Sequence, residues 1–137
     1  GSNDGAMTYA MAALNPQIEF IGIDIDRKKV SESKQKWKLP NLDFQLGDIA
    51  RNAGLKDNSL DAIINSFILH EVYSSSRYHD RPVVNTIEQH FDLLKPEGLM
   101  FVRDHALQQN AEYVLLEMPD RRSQGLEIEQ LSEPDLL

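Results

Sequence analysis

An α/β domain on a mainly parallel sheet is the fold class this sequence predicts, and three observations predict it. Helical and strand periodicities alternate between Met7 and Val102, the turns between them are short, and the apolar runs are of strand or helix length. At 137 residues the chain can build one hydrophobic core and is too short for two comfortable ones. Its apolar fraction of 41% and charged fraction of 26% are those of an ordinary globular protein.

The elements follow in order. Met7, Met11 and Leu14 fall at helical spacing, and Asn15-Pro16 ends that segment. Ile18 to Asp24 is a β-branched and aromatic run of strand length. Asp26 then caps a helix over about Arg27 to Trp37, because its carboxylate accepts from free backbone N–H groups. That helix is polar apart from Val30 and Trp37, so it should lie on the surface with much of its girth exposed. Leu42, Phe44 and Leu46 alternate with polar partners, the period-two mark of a strand. Asp57-Asn58-Ser59 is a turn, and Leu60 to Ile64 follows as a buried strand. Val84, Ile87, Phe91 and Leu94 form a helical stripe over about Pro82 to Leu94. Lys95-Pro96-Glu97-Gly98 reads as a turn before an apolar strand, Leu99 to Val102. Tyr113 to Met118 is a candidate further strand closed by Pro119. Asp120 to Leu137 is polar and acidic, and reads as loop with a short helix near Leu126 to Leu131.

Composition excludes several classes. No apolar run approaches the ~20 residues that cross a bilayer, and no basic segment followed by an apolar stretch marks a signal peptide. With no cysteine there is neither a disulfide nor a thiolate metal site, which fits a cytoplasmic setting. Fourteen basic against twenty-two acidic side chains give a formal charge of −8, a field that repels phosphate and disfavours a nucleic-acid substrate. The one basic cluster, Arg27 to Lys38, is interrupted by Glu32 and reads as a solvated helix face.

Three places carry candidate ligand chemistry. Gly1-Ser2-Asn3-Asp4-Gly5 enters the first helix, where a glycine-rich turn presents backbone N–H groups and lets a ligand approach closely. Asn3 tolerates positive φ there, although a Gly-Ser opening also fits a pair left by cloning. Asp24 closes the next strand, at the carboxyl end where open parallel sheets bind ligands, and a carboxylate there can accept from both hydroxyls of a ribose. Capping the next helix is its alternative role, but Asp26 fits that role better. Asp48 and Ile49 close the following strand, a carboxylate for an exocyclic amine beside an apolar face for a planar ring. A plain solvent-exposed turn is the alternative for that pair.

Taken with Leu60 to His70 and the Leu94-Lys95-Pro96-Glu97-Gly98-Leu99-Met100 turn, the order and spacing resemble the class I S-adenosylmethionine-dependent methyltransferases over about residues 1–104. No one motif is specific; five in the correct order are. The resemblance implies a Rossmann-like three-layer α/β/α sandwich with S-adenosylmethionine as cofactor. It also implies that Gly1, Asn3 and Gly5 approach the methionine part, that Asp24 holds the ribose, and that Asp48 and Ile49 flank the adenine. Asn65, Ser66 and Phe67 would face the cofactor and the substrate entrance.

The departures are as informative. In that family a strand runs directly into the glycine-rich turn, at the sheet centre, between the strands that here end at Asp24 and near Ile64. Here the first strand is missing, so two ladders of backbone groups should stand open, and pairing of two chains through those edges is the expected remedy. The expected organisation is a partial cofactor-binding domain over residues 1–119 and an acidic tail over residues 120–137.

His70-Glu71 lacks the second histidine four residues on that a zinc-protease helix requires, and His79 is too far away, so no metal site is expected. His70 and Glu71 follow the fourth strand of the family pattern and are the candidate general bases, with a structural histidine at a strand end as the alternative. His90, beside the helical stripe, reads as structural. Arg103, Asp104 and His105 reach the same edge, where substrate contact is conceivable. Methyl transfer to a small or medium-sized substrate is the expected function. The alternatives are a non-catalytic interaction module and a nicotinamide-dependent oxidoreductase. The last is disfavoured because Gly1 to Ala6 does not match a Gly-x-Gly-x-x-Gly turn.

Overall fold

A computed structural model describes residues 1–105. The first compact unit is Gly1–Ala106. The strand expected at Tyr113 to Met118, the short helix near Leu126 to Leu131 and the boundary between residues 119 and 120 lie outside the described residues.

The order is α1 (Ala6–Leu14), β1 (Phe20–Asp24), α2 (Arg27–Lys36), β2 (Leu42–Leu46), a 3-10 turn (Ile49–Gly54), β3 (Leu60–Ser66), α3 (Leu69–Ser75), α4 (Asp80–Leu93) and β4 (Leu94–Arg103). β1 pairs with β2 in parallel, Phe20 opposite Leu42 and Asp24 opposite Leu46. β3 pairs with β4 in parallel, Ala62 opposite Leu99 and Ser66 opposite Arg103. An α/β architecture with parallel strands is therefore what forms.

β1 and β3 are not joined. The described strands make two separate two-stranded sheets, β1-β2 and β3-β4. Between them lies a cavity of about 690 Å³, lined by residues 17–23, including all of β1 but Asp24, by all of β3, and by Met7 and Met11 of α1. The interruption lies between β1 and β3 among the described residues.

Local chemistry explains the elements. Asp26 caps α2, its carboxylate accepting from the N–H groups of Lys28 at 2.7 Å and Lys29 at 3.4 Å. Val30 and Ser33 are the buried residues of α2, so the helix does expose most of its girth. The Asn41 side-chain amide reaches the carbonyls of Ala12, Asn15 and Ile18, tying the end of α1 to the start of β2. Phe44, 1% exposed, fills the space between α1, α2 and the β1-β2 pair. On the other side, Leu69, Val72, Leu93 and Leu94 are buried with the polar residues Asn65, Thr86 and His90.

Two expectations are corrected. Lys95 to Gly98 do not separate helix from strand: β4 begins at Leu94, opposite Leu60, and the four residues form an irregularity before the register resumes at Leu99. The turn chemistry survives inside it, with Glu97 at φ 66° and no room for a side chain at Gly98. His70 is not at a strand end. β3 runs on to Ser66, and His70 sits in the first turn of the unanticipated helix α3. No helix among the described residues is long and apolar enough to cross a membrane.

Candidate functional site

The carboxyl ends of the four strands carry the candidate residues, as the direction of a parallel sheet requires. Ser2 donates its backbone N–H to Ile23, the residue before Asp24, and so docks the glycine-rich turn on the end of β1. Asn3 and Gly5 adopt left-handed backbone, φ 51° and 75°. At Gly5 this conformation meets tight packing. A Cβ there would stand 2.6 Å from the Phe44 ring and 2.9 Å from Ser33 Oγ, so glycine is required twice over. At Gly1 a side chain would overlap the Asp24 carboxylate.

Asp24 is 6% exposed and bonded to this turn. Its Oδ2 accepts from the Asn3 N–H at 2.8 Å, and its Oδ1 accepts from the Asp26 N–H at 3.0 Å. The acid and the turn are thus held together, and each carboxylate oxygen keeps a lone pair for a further donor. Trp37 adds a tie from outside: its indole N–H donates to the Asp4 carbonyl at 2.7 Å while the ring stacks on Tyr9 at 4.4 Å.

Asp48 stands at the end of β2, where its Oδ1 accepts from the Ala50 N–H at 2.9 Å and opens the 3-10 turn; Arg51 pairs with it at 3.5 Å. Ile49 follows and lines the cavity between the strand pairs. Ser66 ends β3, half-buried. Phe67 then takes φ 51°, an unfavourable conformation for an aromatic residue, fixed by its N–H bond to the Arg103 carbonyl at 2.8 Å. The residue is 42% exposed, with the Arg103 guanidinium 4.6 Å from the centre of its ring.

Asn65 is buried and does not face outward. Its amide lies 3.1 Å from Nδ1 of His90, which is also buried. Burial lowers the His90 pKa against the opposing effect of the Ile49 carbonyl, so this ring is held neutral as a structural partner.

The arrangement that the sequence pattern does not reveal centres on Asp104, just beyond β4. Its Oδ2 accepts from the N–H groups of Ile68 (3.1 Å), Leu69 (2.8 Å) and His70 (3.3 Å). Its Oδ1 accepts from the His105 N–H at 2.8 Å and meets His70 Nδ1 at 2.7 Å. Burial alone would raise the Asp104 pKa, but these donors outweigh it and hold it at about 2. α3 has no side-chain cap of its own, so Asp104 supplies one from across the site. His70, Asp104 and His105 each offer a potential ligand atom, all within 4.8 Å, a grouping the sequence reading did not foresee. Glu71 and Asp24 both lie within electrostatic reach of Gly1 at this edge.

With this geometry in view, comparisons with known proteins define the class. The profile of a methyltransferase-domain family matches residues 1–131, and the chain belongs to that family. Among curated relatives, it is 33% identical over 61 residues to a phthiotriol/phenolphthiotriol dimycocerosates methyltransferase of Mycobacterium tuberculosis, covering 44% of this chain and 22% of the relative. It is 26% identical over 104 residues to a tRNA (guanine-N(7)-)-methyltransferase of Lactobacillus gasseri, covering 72% of this chain and 47% of the relative. Two solved structures share the fold, each with a TM-score of 0.55 and covering 72% of this chain. One is a methyltransferase in complex with the Haloferax volcanii Trm112 methyltransferase activator, 23% identical, of which 39% is covered. The other is an S-adenosylmethionine-dependent methyltransferase from Listeria monocytogenes, 19% identical, of which 41% is covered. The chain spans less than half the length of these relatives. The fold is the Rossmann-like fold of class I methyltransferases.

Proposed function

We propose that this chain supplies the S-adenosylmethionine site of a methyltransferase acting on a small or medium-sized substrate. The observation that carries the reading is the bonded unit of turn and acid: Asn3 and Gly5 in left-handed backbone beside Gly1, with Asp24 bonded to the Asn3 N–H. Such a unit fits a ligand combining a charged amino-acid end with a ribose. Gly1, Asn3 and Gly5 offer main chain to the amino-acid end, Asp24 accepts from ribose hydroxyls, and Asp48 with Ile49 takes the purine. Ser66 and Phe67 border the approach of the methyl acceptor.

The bound sulfonium supplies an electrophilic methyl group, so the residues of the chain have mainly to align donor and acceptor and exclude water. Each Asp24 oxygen carries one backbone donor, so ribose hydroxyls can use the remaining lone pairs with the turn left in place. The charge of −8 favours a small acceptor over a nucleic acid. Pairing of two chains through the open β1 and β3 edges is a further part of the proposal, and a sedimenting species of monomer mass alone would remove it.

Titration with S-adenosylhomocysteine tests the cofactor reading directly. Saturable one-site binding that Asp24→Ala weakens at least about tenfold is the expected result, the loss of about one hydrogen-bonded charge contact. A chain that stays folded and takes up no ligand would instead favour the non-catalytic interaction module.

A further inference from the structure

We propose that His70 and Asp104 form a proton-accepting pair, and that the methyl acceptor is an aromatic hydroxyl seated beside Phe67 and His105. The proposal rests on the methyltransferase reading and adds to it a base and a substrate class.

The geometry of Asp104 comes first. Its five donors fix the carboxylate in position, four of them backbone N–H groups that cannot rotate away. A carboxylate only accepts, so the proton between the two groups sits on His70 Nδ1, and the neutral ring keeps its lone pair on Nε2. His70 Nε2 has no hydrogen-bond partner among the described residues, and the side chain is 39% exposed. A ring oriented by a part-buried acid through one nitrogen, with the other bare and accessible, is the form of a general base. The same donors argue against a cation as the purpose of the cluster, since both Asp104 oxygens are already saturated by N–H groups.

The surroundings give the acceptor its class. The His70 and His105 rings meet edge to face at 4.9 Å, and His105 lies 5.4 Å from Phe67. With the Arg103 guanidinium over the other ring, this is an exposed aromatic shelf at the strand ends, suited to a planar aromatic ring. The charged or titratable groups at this edge are Asp104, Glu71, Arg103 and His105. A thiol ionises readily without help and an aliphatic alcohol is too weak an acid for imidazole. A phenolic hydroxyl, of pKa about 10 like that of tyrosine, is the acceptor for which a positioned histidine matters most.

In the transfer, the phenolic oxygen forms a bond to the methyl carbon as the carbon–sulfur bond breaks, and that bonding pair remains on sulfur as the neutral thioether. The hydroxyl proton passes to His70 Nε2. The resulting imidazolium stays paired with the Asp104 carboxylate until it releases the proton to water.

Two measurements decide it. Long-range proton–nitrogen NMR of the imidazoles should show His70 protonated on Nδ1 and bare on Nε2, and Asp104→Asn, whose amide donates where the carboxylate accepts, should reverse the two. Methyl transfer from S-adenosylmethionine to catechol, read as S-adenosylhomocysteine formed, should lose about 100-fold or more in kcat in His70→Gln with KM little changed. S-adenosylhomocysteine affinity should stay the same in that variant. A proton on Nε2 of the neutral ring overturns the pair, as does a His70→Gln variant with undiminished kcat. Transfer to an amine or thiol with none to catechol overturns the substrate class. Failure to bind S-adenosylhomocysteine at all would sink the methyltransferase reading, while the NMR result would still decide the state of the pair.

Discussion

The two halves of the described chain reach the same strand-end edge by different means. The α1-β1-α2-β2 half is held by packing: Phe44 fills its centre, and Gly5 and Gly22 bring the backbone against that ring. The β3-α3-α4-β4 half is organised around fixed polar groups, the buried Asn65–His90 pair and the part-buried Asp104 carboxylate that caps α3. A cofactor turn needs a fixed backbone shape, which close packing provides. A site that moves protons needs fixed polar atoms, which only a completed hydrogen-bond network provides.

That contrast can be broken by mutation, and the largest effect belongs to the packed half. Phe44→Ala should cost about 3–5 kcal/mol, since it removes the ring on which α1, α2 and two glycines converge. Urea unfolding would measure it; a loss under about 1 kcal/mol would mean that this half collapses onto the space and is not built on the ring. In the polar half, Asn65→Val leaves a buried His90 nitrogen without its partner and should cost about 1–3 kcal/mol in the same assay. An unchanged midpoint would show that the pair orders nothing. Asp26→Ala, which removes the cap of α2, should cost about 1 kcal/mol and lower the melting temperature without altering the polar half.

The smallest effect is a pH dependence, and both of its groups belong to the polar half. His90 has its pKa lowered by burial, so the unfolded chain binds the extra proton first. Its contribution is whole above the unfolded value of about 6.5 and is lost as pH falls below it. Asp104 contributes fully above its unfolded value of about 3.8, and that contribution is lost as pH falls through about 2. Unfolding at pH 7.5 and pH 5 should therefore show a weaker fold at the lower value, and His90→Gln should flatten the difference. A steeper difference in that variant would place the titration elsewhere.

What the sequence makes legible is what depends on near neighbours. β2 has the expected bounds because Leu42, Phe44 and Leu46 state their own period, and Asp26 caps the helix that follows it because capping acts over two or three residues. Asp24 sits where the strand end puts it, although its closeness to the turn is known only from the fold. α3 was hidden because Ile68 is no capping residue: the cap comes from Asp104, 36 residues further on. The Lys95 to Gly98 segment reads locally as a turn, and only the pairing of Leu94 and Leu99 with β3 on either side of it shows that it lies within a strand. His70 was visible as a candidate base, yet the acid that orients it was not, since nothing at position 70 points to position 104.

The tie from Trp37 has an optical consequence. The sequence contains one tryptophan, and its indole donates to Asp4, inside the glycine-rich turn, while it lies against Tyr9 and 4.5 Å from the Lys36 ammonium. All the indole emission of this protein therefore originates at one turn. Any ligand that shifts that turn will alter both the polarity around the fluorophore and its contact with a neighbouring cation. The chain thus carries its own reporter at the place where a cofactor would make its first contacts.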